Sequence, residues 1–261
     1  MKKIFCCLAL AMLLACTSKK DDTITDPQPI LEWSLVYYNP AATKVVAVFN
    51  NNILVRGSFP IDTDSVFAYT KIMEVVKARC PAMNFDNSTF IDISMLDNAP
   101  KAEWPQLQVE LKAYNLADAA IPSKWPPYQT DYNAQLLGSK VCGHSGRFHW
   151  WPIEGFNPTM SWDQKVGQFF TKKGWNGQHG GYNFDGLVDR LDSLLRDESY
   201  PKIIYYHCTW GHDRTGALTF GWMVKHGGFT KADALLAVDS VATPNEHYSG
   251  MIDDYYKWLF P

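Results

Sequence analysis

The chain has 261 residues, 46% hydrophobic and 20% charged, which is enough apolar material for one sizeable core. Its formal net charge is −3 and it carries no basic block, so a nucleic-acid partner is not expected. Aromatic residues make up 14% of the chain and include ten Trp.

The N-terminus reads as a targeting segment. Lys2 and Lys3 precede an apolar run from Ile4 to Leu14 that is too short to span a bilayer but suits a secretory signal. Leu13-Leu14-Ala15-Cys16 resembles the bacterial lipobox, in which the Cys becomes the lipidated first residue; the alternative is a plain signal peptide cut nearby. Lys20-Asp21-Asp22 is similar to the acidic surface-export tag of some Bacteroidota lipoproteins. The expected organisation is a signal peptide over 1–15, a tether over 16–30 and one domain over 31–261. Lipid on Cys16 would then hold the protein in the bacterial envelope, at the outer membrane and exposed at the surface. Cleavage moves the formal charge from −3 to −5, because residues 1–15 hold two Lys and no acid. Cys80, Cys142 and Cys208 remain beyond Cys16. A Cys80–Cys142 pair would leave Cys208 free, whereas the apolar stripe Val66, Tyr69, Met73 and Val76 suits a buried, inert Cys80.

Residues 44–57 read as two short strands around an Asn-rich turn, and 62–80 as a helix with acids at its start. A strand is predicted near 88–96 and a helix over 104–114, with Pro105 in its first turn. Between Leu116 and Gly181 the pattern breaks down among Trp, Gly and Pro, as in a lid or pocket wall. Phe184, Leu187, Val188, Leu191, Leu194 and Leu195 form a helical stripe. A strand over 202–206, a loop and a helix ending at Gly227-Gly228 follow. Thr230 and Asp233 mark another helix start, and the chain closes on a last helix near 247–260.

The loop after residue 206 carries the chemistry. A strand, a tight turn and a helix N-terminus make an anion cradle of free N–H groups, and the same field favours a thiolate nucleophile. Cys208 stands at that point. Arg214 starts the helix, where its planar fork can take two oxygens of a phosphate. Gly211 permits the turn, Thr215 can donate to the sulfur, and His207 can order the loop.

"HCTWGHDRTG" resembles the His-Cys-x5-Arg-Ser/Thr signature of the protein tyrosine phosphatase superfamily. The resemblance implies an α/β sandwich with a short central sheet flanked by helices, and a phosphatase working without metal or cofactor. Cys208 would attack phosphorus, with Arg214, Thr215 and His207 supporting it. Thr209, Trp210, Gly211, His212 and Gly216 would line the phosphate. A phosphocysteine would form and then hydrolyse. Many members take their acid from an upstream Trp-Pro-Asp; here the nearest match is Trp151-Pro152-Ile153-Glu154. Asp163 and Asp185 are further candidates. The myotubularins and a bacterial branch carry Asp where this chain has Asp213, which makes Asp213 a catalytic candidate, as acid or as loop orienter.

Phosphotyrosine or a small phosphoester, on a protein or free, is the expected substrate, because the loop lacks Lys and the chain is acidic. A phosphoinositide or inositol phosphate is the alternative, and a non-catalytic phosphate-binding surface lipoprotein the third reading. Cys142, His144, His149 and His179 lack metal-ligand spacing, so no metal is expected, and Arg147 reads as a surface residue.

Overall fold

The computed structural model describes residues 36–96, 103–114, 130–133, 146–153, 159–171 and 184–261, all within the compact unit Ser34–Pro261. β1 (Lys44–Phe49) and β2 (Asn52–Gly57) pair antiparallel across the predicted turn, where Asn50 takes a φ of 50° that Asn tolerates better than most side chains. α1 covers only Tyr69–Arg79. The acids expected at its start instead form a turn: Ser65 has φ 56°, Ile61 bridges Phe67, and Asp62 accepts from Thr63 N at 2.8 Å. Val66 is exposed and lies outside the stripe; Tyr69, Ile72, Met73 and Val76 are buried. Cys80 is a half-buried free thiol at the C-cap, and Cys142 lies outside the described residues.

β3 (Thr89–Ser94) and α2 (Trp104–Ala113) fall where predicted. The stretch expected to be irregular holds β4 (Thr130–Asn133), β5 (Gly146–Trp150) and α3 (Trp162–Lys165), which runs into a π-helical turn at Val166–Phe170. α4 (Phe184–Arg196), β6 (Lys202–His207), α5 (Asp213–Lys225), α6 (Lys231–Asp239) and α7 (Glu246–Leu259) complete the order. Thr230 caps α6 by accepting from Asp233 N at 3.2 Å. Among the described residues no helix is long and apolar enough to cross a membrane.

The six strands order β1-β2-β6-β3-β5-β4. The inner four are parallel and the outer two antiparallel to their neighbours. β2, β3 and β6 are buried at every position, as parallel strands covered on both faces must be. Their side chains alternate between two cores. Leu54, Ile91, Ile93, Ile204 and Tyr206 join the core of α4, α5, α6 and α7. Ile53, Val55, Phe90, Ile203 and Tyr205 join that of α1 and α2. The fold is therefore α/β, a central sheet between two helical layers. The loop from β6 to α5 lies at the carboxyl end of a central parallel strand, where such sheets place ligands.

Candidate active site

The loop is fastened to both neighbouring strands. Met95 N donates to His207 O at 3.0 Å, beyond the end of β3, and Phe59 N to Thr209 O at 3.1 Å, beyond β2. Gly211 has φ +79°, and a Cβ there would lie 2.7 Å from Gly57 O and 2.9 Å from Ser58 N. Only glycine meets both demands. Arg56, 1% exposed on β2, donates from Nη2 to Gly211 O at 2.8 Å and ties the turn to the sheet.

Cys208 is buried, and Thr215 in the first turn of α5 donates its hydroxyl hydrogen to Cys208 Sγ at 3.2 Å. Arg214 is held from two sides. Its Nη1 donates to both Glu103 carboxylate oxygens at 2.7 Å, and its Nε to Tyr248 Oη at 3.1 Å. Burial works against the guanidinium charge, but Tyr248 and Glu103 outweigh it and raise the pKa, so the clamp is a cation at any working pH. Thr209 is turned toward α2, donating to Glu103 Oε1 at 2.6 Å, with Gln106 Oε1 at 3.4 Å.

Beneath the loop lies a closed polar floor. His207, Asp92 of β3 and Glu110 of α2 are all 0% exposed. His207 Nε2 is 2.6 Å from Glu110 Oε1 and 3.3 Å from Asp92 Oδ1, and its Nδ1 is 3.3 Å from Cys208 O. Ser94 donates to Glu110 Oε2 at 2.8 Å and Tyr114 to Asp92 Oδ2 at 3.0 Å. Burial pushes Glu110 up to about 7 against the pull of His207. Burial alone would lower His207, but Glu110 and Asp92 overcome it and hold the imidazole well above its ordinary range. These three groups could ligate a cation; His207 and Glu110 bond each other directly, while Asp92 Oδ1 has no hydrogen-bond partner among the described residues.

The rim is different. Trp210 is 56% exposed, and His212 is partly exposed with its Nδ1 3.2 Å from Asp213 Oδ1. Asp213 Oδ1 accepts from Asn245 N, the N-cap of α7, at 2.7 Å. Burial would raise the Asp213 carboxyl, but His212, Asn245 N–H and Arg214 together hold it below its usual value. Gly216 faces away from the anion seat into helix packing, where a Cβ would meet Val238 and Pro244 at 3.1 Å.

The structure does not gather every candidate. Asp185 bonds Tyr255 at 2.7 Å and Lys225 at 2.5 Å among α4, α5 and α7. Asp163 is exposed in α3. Arg147, half-buried on β5, lies 5.0 Å over the Tyr200 ring, and His149 is buried 5.7 Å from the Trp151 ring. Glu154, His144 and His179 lie outside the described residues. Sequence reading missed Arg56, Asp92, Glu103, Glu110 and Tyr248. A signal existed for the first two: a charge amid "ILVRG" or "FIDIS", in strands reading as buried, demands a partner.

No protein-family model and no curated protein matches the chain. Solved structures do. Human DUSP28 is similar over 84% of this chain and 95% of its own, with 14% identity and a TM-score of 0.37. Human tyrosine phosphatase-like serine/threonine/tyrosine-interacting protein is similar over 80% and 93%, with 12% identity and a TM-score of 0.37. Trypanosoma brucei protein tyrosine phosphatase TbPTP1 is similar over 82% and 70%, with 11% identity and a TM-score of 0.37. Likeness at this level decides nothing about chemistry, which is argued from the site itself.

Proposed function

We propose that this chain is a cysteine-dependent phosphatase that hydrolyses phosphomonoesters through a phosphocysteine. The observation that carries the reading is the Thr215 hydroxyl 3.2 Å from Cys208 Sγ, with Arg214 fixed one residue away at the N-terminus of α5. Deprotonated sulfur would attack phosphorus in line while Arg214 and the loop amides hold the equatorial oxygens. Thr215 would then stabilise the sulfur as leaving group in the hydrolytic step. Glu103 would keep Arg214 and Thr209 in register.

Asp213 is retained as a catalytic residue, with loop ordering as its proposed role. A carboxyl held ionised by Asn245 and His212 is poorly placed to keep a proton for the leaving oxygen. The competing donor is Glu154. The exposed Trp210 and the acids Glu103 and Asp213 suit a singly phosphorylated substrate with a flat ring, such as phosphotyrosine, over a phosphoinositide. Lipid attachment at Cys16 and a place in the bacterial envelope remain part of the proposal.

Phosphate release from an aryl phosphate, phosphotyrosine and phosphoserine peptides, phosphoinositides and phytate, with reductant present, tests the reading. Cys208→Ser should abolish release. Slowing confined to substrates with poor leaving groups, in Asp213→Asn or in Glu154→Gln, would assign the acid. Oxyanion binding with no release from any substrate would leave a phosphate-binding surface protein.

A further inference from the structure

α7 reaches the loop at two points one turn apart. Its N-cap, Asn245, donates to Asp213, and Tyr248 meets Arg214. The second contact braces Arg214 in the site described above. Tyr248 is only 7% exposed, so its hydroxyl is not placed there for bulk water. Burial pushes its pKa up to about 12 against the pull of Arg214, and Cys208 and Glu103 are the other charges felt by the phenol. The hydroxyl therefore stays neutral and keeps its hydrogen, within electrostatic reach of both nucleophile and clamp.

The bonding of Arg214 says what that hydrogen can do. Nη1 is committed to Glu103. An anion taking two donors from the guanidinium must therefore use the edge that contains Nε. On that edge, Nε already donates to Tyr248 Oη at 3.1 Å. An oxygen arriving at Nε comes up beside Oη. The hydroxyl hydrogen now goes to Ile153 O over 3.4 Å, at the long limit for an O–H···O bond and readily exchanged for a charged acceptor.

We infer that Tyr248 is a substrate-contacting residue: when a phosphate seats, the single Nε–H of Arg214 turns from Tyr248 Oη to a phosphate oxygen, and the Tyr248 hydroxyl hydrogen passes from the Ile153 carbonyl to that same oxygen. This rests on the phosphatase reading for the identity of the anion, but the test does not need turnover. Orthophosphate and vanadate binding to the full chain in detergent are measured by calorimetry, with and without Tyr248→Phe. The phenyl ring stays, so the core is kept. Loss of one hydrogen bond to a charged group should weaken both anions about tenfold, by roughly 1.4 kcal/mol. The ratio should be flat from about pH 5 to about pH 9, because the phenol does not ionise there. In the unmutated chain, one tyrosine Cζ resonance among the thirteen should move saturably with orthophosphate. Equal affinity in Tyr248→Phe, or no tyrosine response in the unmutated chain, overturns this inference alone. Failure of the unmutated chain to bind either oxyanion overturns the phosphate-site reading with it.

Discussion

Below Cys208, Asp92, Glu110 and His207 are shut from water; above it, Trp210, His212 and Asp213 meet it. Both regions pair a histidine with a carboxylate, and they treat protons in opposite ways. In the floor, Glu110 and His207 are both shifted upward, so the folded state takes up protons that the unfolded chain would release. At the rim, Asp213 is shifted downward, so the folded state releases one. The same pairing is thus a matter of stability where it is buried and of charge placement where it is wet.

The sharpest way to break this contrast is Glu110→Ala. It leaves a buried imidazole without its nearest partner and should cost about 3–5 kcal/mol in urea unfolding, a large share of a domain's usual reserve. A loss under about 1 kcal/mol would mean that the floor is not an ionic assembly.

Glu103→Gln stands between the regions. It keeps the shape but removes the charge that fixes Arg214, and should lower kcat/KM about a hundredfold with little change in Tm.

Proton linkage gives the next effect. His207 contributes its stability fully below the ordinary histidine value of about 6.5 and loses it as pH rises through its raised value. Glu110, raised from 4.5 to about 7, adds to the same trend, so unfolding free energy should grow as pH falls through the raised His207 value and on through 7 toward 4.5, and the slope should flatten in Glu110→Gln. Asp213 has the reverse sign. Its contribution is present above the ordinary Asp value of about 3.9 and is lost as pH falls through its lowered one, so Asp213→Asn should flatten only the acid side.

The smallest structural change is Trp210→Ala, expected within about 0.5 kcal/mol in stability. A rise in KM for aromatic phosphoesters but not for glycerol phosphate would assign the exposed ring to substrate.

Much of the fold was legible where periodicity was local. The stripe over 184–195 and the Thr230 cap each declare themselves within a few turns of chain. β4 and β5 did not. Each is five residues or shorter, and their pairing depends on β3, far away in sequence. The site divides in the same way. Cys208, Arg214 and Thr215 lie within eight consecutive residues and could be read as a motif. Their supports could not: Glu110 precedes His207 by 97 residues and Glu103 precedes Arg214 by 111. Still, Glu103, Gln106 and Glu110 repeat at helical spacing, and polar groups on the inward face of α2 are a readable demand for buried partners.

The contacts of Asn245 and Tyr248 with Asp213 and Arg214 also bear on timing. A chain made or threaded N-terminus first presents the whole sheet and the nucleophile before it presents α7. The anion site is therefore finished last, by Asn245 and Tyr248 of α7. A nascent chain, or one clipped ahead of α7, would carry Cys208 without a fully braced clamp.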